Sequence, residues 1–150
     1  MNNSYARFAA MIATSTVVMY GLMYLNTYQL DHIFFSETRL YMALIMGATM
    51  AVIMLAFMLG MYQNRRVNAG IFMGSALLFV IALWLVRSQA TVGDVAYMRA
   101  MIPHHSIAIL TSENANISDP RVRDLADAII ETQRTEIAEM KRLIADLEQP

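Results

Sequence analysis

The spacing Met98-x-x-Met101-x-x-His104-His105 places two thioethers and two imidazoles within two helical turns. Sulfur of this kind and imidazole nitrogen form a soft to borderline donor set. It suits Cu(I), accepts Cu(II) through the imidazoles, and is poor for Mg, Ca or Mn. The chain of 150 residues has no Cys, which removes disulfides, thiolate metal sites, iron–sulfur clusters and Cys nucleophiles together. Met numbers 14. Thiols oxidise readily outside the cytoplasm, so Met is the sensible soft ligand in that setting.

A helix wheel predicts how these groups are aimed. At 100° per residue and centred on Met101, the residues Asp94, Tyr97, Met98, His104, His105, Ala108 and Ser112 fall within about 60°. Pro103 lacks an amide donor, so a kinked or loosened turn is expected just before the His pair. A second helix, centred on Met140, gathers Val122, Ala126, Ile129, Leu143, Ile144 and Leu147, with Gln133 and Glu136 on the same face. In an antiparallel hairpin, Met140 then approaches Met98, Met101 and His105. The candidate ligands are Met98, Met101, His104, His105 and Met140, with Asp94, Glu136 and His32 as outer or weaker ones. Met also fills irregular gaps in cores, so spacing alone leaves packing and metal binding both open.

The chain around this hairpin divides at about residue 90. Composition is 57% hydrophobic and 15% charged, which points to a bilayer, and a net charge of −1 excludes the basic stripe of a nucleic-acid binder. Residues 1–93 carry five arginines against Asp31 and Glu37, a net +3, whereas residues 94–150 carry six basic and ten acidic side chains, a net −4. Residues 8–25, 40–62 and 70–86 are uncharged, and three transmembrane helices are expected there, within a membrane region over 1–90. No small-x-small cleavage pattern follows the first, so it is expected to remain as an anchor. Arg65 and Arg66 in the short second connection put that loop, and the N-terminus, in the cytoplasm. The loop 26–39 and residues 91–150 then lie outside, which in a bacterial inner membrane means the periplasm. Tyr20, Tyr24, Tyr28, Tyr41, Tyr62 and Trp84 are placed like an interfacial aromatic belt. His32, beside Asp31 in the outer loop, is expected to be solvated.

The outer segment reads as two helices, Asp94 to about Ser112 and a second starting with Asp119 as N-cap and Pro120 at its first position. No strand pattern appears, so the fold class is all-α. Met42, Met46, Met50, Met54 and Met58 recur every fourth residue, with Met61 beyond. They form a ridge that winds around its helix, either packing or relaying Cu(I). Gly70-Ile71-Phe72-Met73-Gly74 permits a close helix approach. Phosphate loops, His-Glu-x-x-His, Gly-x-Ser-x-Gly and Glu-x-x-His are all missing, and no enzyme is expected.

The run Tyr97-Met98-Arg99-Ala100-Met101-Ile102-Pro103-His104-His105 resembles the signature of a ferritin-like, His/Met-containing copper-binding family of domains of unknown function (CopM-like). Asp94, Met98, Met101, Pro103, His104, His105, Ala108, Ile109, Glu136, Ile137 and Met140 match that family's pattern. The resemblance covers about residues 94–147. It implies a helical hairpin that completes a four-helix bundle by oligomerisation, and copper held by Met and His. Thr111 stands where members often carry another Met, which implies a low capacity, with one ion per site. The membrane region lies outside the resemblance.

The expectation is therefore a membrane-anchored periplasmic copper-binding protein, Cu(I) favoured, for buffering, tolerance or delivery. Its expected partners are membrane lipid, further copies of the chain, and a copper acceptor such as a membrane-bound oxidase. The competing reading is an accessory subunit of a larger respiratory membrane complex, with the Met/His face merely packing on a partner.

Overall fold

The protein is known here from a computed structural model that describes residues 2–149, with side chains from Ser4 onward. Five α-helices and one 3-10 turn make up the described residues, which contain no strand. The chain forms two compact units. One holds the chain up to Met23 together with Thr38–Thr91, and the other holds Tyr24–Glu37 with everything from Val92 on.

The first unit contains α1 (Asn2–Leu22), α2 (Glu37–Phe57) and α3 (Arg65–Ser88). α2 and α3 are long and apolar enough to cross a membrane. α1 has 21 residues but does not join them, because it takes in Arg7 together with Thr14, Ser15 and Thr16. Of the three expected spans, two are therefore seen as membrane-length apolar helices. The boundaries move as well. α2 ends at Phe57 rather than 62, because Gly60 and the polar run from Gln63 stop it. α3 begins at Arg65 rather than 70, because Asn64 Oδ1 accepts from the amides of Arg66 at 3.1 Å and Val67 at 3.3 Å.

Polar and aromatic contacts close this unit at one end. Tyr5 donates to Asn68 Oδ1 at 2.9 Å, Asn64 N donates to Tyr5 Oη at 3.1 Å, and Asn68 Nδ2 donates to the Tyr62 carbonyl at 2.6 Å. Asn68 is buried, so these bonds remove the cost of an unsatisfied amide. The Tyr62 ring meets Tyr5 and Phe8 at centroid distances of 5.0 and 5.4 Å. Tyr62 is therefore a core residue and not part of an interfacial belt. Met54 and Met58 fill space beside the same cluster, while Met61 is exposed. Gly47 lies against Thr16, where a Cβ would collide with Oγ1, so α1 and α2 touch because one residue there lacks a side chain.

The second unit is a hairpin of α4 (Asp94–Asn114) and α5 (Pro120–Leu147) with the segment Tyr24–Glu37 laid on it. Asp119 caps α5, its carboxylate accepting from Arg121 N at 2.9 Å, and Pro120 fills the first position as expected. α4 continues through Pro103, which is buried. The core consists of Met98, Ile102, Ile109, Ile137, Met140 and Ile144, joined at its edge by Tyr28, Phe34 and Met101.

Two expected faces are rotated. The buried residues of α4 are Met98, Ile102, Pro103, Ser106 and Ile109, and all but Pro103 centre about 100° around the helix from Met101. Asp94, Tyr97 and His104, assigned to the inner face, are exposed. On α5, Val122, Ile129 and Leu147 are exposed, and Ile137 takes the place expected for them. On α4 burial centres on Ile102 and Ile109 with Met98, which leaves Met101 and His105 at the edge of the buried stripe and His104 outside it.

Candidate metal centre

The hairpin aligns its two helices antiparallel, and one contact fixes the level. His105 Nδ1 stands 3.2 Å from Glu136 Oε2. One turn back along α4 lies Met101, and one turn forward along α5 lies Met140. Both belong to the same core cluster. His105 and Glu136 thus face each other at one level of the hairpin, and Met101 and Met140 at the next, about 6 Å along the axis.

The remaining candidates are placed differently. Met98 is buried in the same cluster, about 4.5 Å further along the helix axis from Met101 at ~1.5 Å per residue. It can add a thioether next to Met101 and Met140, but lies about 10 Å along the axis from His105. Asp94 is exposed in the first turn of α4, about 16 Å along the axis from His105, which excludes it from a shared ion. His104 is exposed beside His105, with ring centroids 6.0 Å apart and planes at 58°. It opens toward the surface.

His32 departs from expectation. It is buried rather than solvated, because the 3-10 turn Leu30–His32 seats it on α4. Ser106 Oγ accepts from Tyr28 N at 2.7 Å and lies 2.9 Å from His32 Nδ1. Burial lowers the His32 pKa, so the ring is neutral, and the contact with Ser106 forms with either atom donating according to the tautomer. Ser106 points about 100° away from His105 around α4, so His32 stands apart from the Met/His positions. Asp31 pairs with Lys141 at 2.6 Å beside it. Tyr28, expected at a membrane interface, instead reaches Glu113 at 3.3 Å, and Arg134 pairs with that same carboxylate at 2.5 Å.

The electrostatics of His105 suit a neutral ligand. Burial pushes its pKa below the ordinary imidazole value, the neighbouring Glu136 carboxylate pulls it back up, and His104 lowers it again. The balance is downward, so the ring is uncharged near neutrality. Its Nδ1 is buried and lies within ion-pair distance of Glu136, although off a hydrogen-bond line. A carboxylate turned onto that line would fix the proton on Nδ1 and leave the Nε2 lone pair for a metal, as where a carboxylate orients a ligating imidazole.

Thioethers about one turn from an imidazole are donors of the kind that a soft monovalent ion takes in preference to a hard divalent one. Among the described residues no three His, Cys, Asp or Glu side chains converge, so the hard-ligand constellation of a zinc or di-iron site is not formed there. Glu136 was read from sequence only as an outer ligand. Its part in orienting His105 could have been found from register, by pairing residues four apart on each helix about the turn. The role of Ser106 and the loop carries no local signal.

Residues 86–150 match the family model described as a domain of unknown function (DUF305). Over 154 aligned residues the chain is 31% identical to the uncharacterized protein L153 of Acanthamoeba polyphaga mimivirus, covering 96% of this chain and 93% of the viral one. No solved structure matches the chain.

Proposed function

The chain belongs to the family of this viral protein, and from that premise we propose that it is a membrane-anchored copper-binding protein that holds Cu(I) through Met and His. The observation that carries this reading is the grouping of Met101, His105 and Met140, with Met98 adjoining and Glu136 behind the imidazole. It collects soft donors from two helices, keeps the imidazole neutral, and leaves His104 exposed as a point of entry or transfer. Asp94 and His32 play no part in the ion's coordination.

α2 and α3 span the membrane in this account, and α1 spans beside them, held by Gly47 against Thr16 and by the Tyr5 bonds to α3. The doubly basic α2–α3 turn keeps that side in the cytoplasm, so the hairpin lies in the periplasm of a bacterial inner membrane. The hairpin also leaves an apolar row uncovered on α5, with Val122, Leu125, Ile129 and Leu147 all exposed. A two-helix layer of this kind gains by packing on another, which favours a homo-oligomer with a four-helix bundle core. Copper is buffered there or passed to a membrane-bound acceptor, without turnover. The runner-up is an accessory subunit of a membrane complex, favoured by the same exposed row.

Cu(I) competition titration of the detergent-purified protein, with elemental analysis, separates the two. Binding at a defined stoichiometry that is lost in a Met101→Leu/His105→Ala variant of unchanged helix content supports the copper reading. Equal binding by the variant refutes it and leaves the hairpin as an assembly surface.

A further inference from the structure

Every charged side chain of the first unit is a cation. Up to Met23 and over Thr38–Thr91 the chain carries Arg7, Arg39, Arg65, Arg66 and Arg87, and no Asp, Glu or Lys. Arg65 and Arg66 stand together and exposed at the α2–α3 turn. A cleft of about 550 Å³ opens there, lined by Leu59, Tyr62, Gln63, Arg65, Asn68 and Phe72. We propose that this cleft seats the headgroup of an anionic phospholipid. The phosphate lies against the Arg65 guanidinium, and the glycerol and first acyl carbons lie against Leu59 and Phe72.

The walls define the ligand. The lining combines a guanidinium, whose planar fork matches phosphate oxygens, with aliphatic and aromatic surface. An inorganic anion would use only the first, whereas an amphiphile uses both. The helix end itself is already occupied, since Asn64 takes the first amides of α3, and Asn68 is bonded to Tyr5 and Tyr62. The attraction therefore comes from the arginines. No carboxylate of the unit can neutralise them, and a second copy of the unit would bring only more arginine. Basic pockets between membrane helices are where anionic headgroups are held. The inference rests on the reading of α2 and α3 as membrane spans.

The test uses the full chain in nanodiscs of phosphatidylcholine with a minority of phosphatidylglycerol of the same acyl chains, followed by native mass spectrometry of the lipids retained. Phosphatidylglycerol is expected to be enriched over its share of the bilayer. The Arg65→Gln/Arg66→Gln variant should lower that enrichment about fivefold or more. Ala69→Phe, which narrows the cleft without changing charge, should lower it too. Arg7→Gln, a cation of the same unit that does not line the cleft, should leave it intact. Equal retention of both lipids, an equal loss in Arg7→Gln, no effect of Ala69→Phe, or displacement by inorganic phosphate each overturns the site. Carbonate extraction separates this failure from that of the membrane reading. Protein that stays with the membrane yet shows no enrichment overturns the headgroup site alone, whereas protein released by carbonate overturns the spanning reading and the site with it.

Discussion

His105 Nδ1 and Glu136 Oε2 meet 3.2 Å apart across the hairpin, and this pair sets the level at which the two helices face each other. Because each helix repeats on the same side every four residues, it also brings Met101 opposite Met140. A carboxylate that is 48% exposed contributes little to stability through such a contact. Its proposed effect is on direction: bonded to Nδ1, it would aim a partly buried imidazole and leave the other nitrogen for a ligand.

Glu136→Gln removes the charge and keeps the size. Cu(I) affinity should fall about 10- to 100-fold while helix content stays unchanged, as read by competition titration and circular dichroism. An affinity equal to wild type would mean that the carboxylate does not orient the ring.

Ser106→Ala addresses the segment laid on the hairpin. The substitution leaves Tyr28 N and His32 Nδ1 without their shared partner in a fully buried position. Unfolding of the hairpin unit in denaturant should become easier by about 1–3 kcal/mol, with faster amide exchange over residues 24–37. A change within about 0.5 kcal/mol would show that the segment is held by Lys141–Asp31 and apolar contacts instead.

Several features were legible locally and others were not. Asp119 followed by Pro120 announces a helix start through its own backbone chemistry, and α5 begins there. The polar, acidic hairpin separates from the apolar first part by composition alone. The phase of α4 differs from that of a wheel centred on Met101, because Ile102 and Ile109 decide which side is buried. The burial of His32 has no local signal, because its partner Ser106 lies 74 residues away, a distance over which no spacing rule operates. Met140 belongs to the core cluster against which Met101 packs, and the antiparallel register that follows from the turn accounts for this. The same register also implied the closeness of Glu136 and His105.

The metal-free protein should lose stability on acidification. Burial holds both His32 and His105 below the ordinary imidazole value of 6.5, so the unfolded chain takes up protons first as pH falls. Stability is full above that value. It declines as pH drops through 6.5 toward the lowered folded values, then levels off. Thermal unfolding between about pH 8 and pH 5 should show this slope, and His32→Asn should flatten it. A midpoint that rises on acidification would contradict the burial of neutral imidazole.

Leu125 and Ile129 are 61% and 36% exposed on one side of α5. A Leu125→Glu/Ile129→Glu variant should shift the detergent-solubilised protein to a smaller assembly in analytical ultracentrifugation, with its helix content kept. An unchanged sedimentation coefficient would place any contact between copies elsewhere. If wild type is already a single chain, the four-helix bundle account fails.

The central claim is that copper sits among thioethers and an imidazole within this hairpin. X-ray absorption spectroscopy of the Cu(I)-loaded full chain tests it most directly, because it counts sulfur and nitrogen neighbours of the metal itself. The account predicts two or three sulfur scatterers with one imidazole, the sulfur contribution falling by about one in Met101→Leu. A first shell of nitrogen and oxygen alone, unchanged by that substitution, would contradict it.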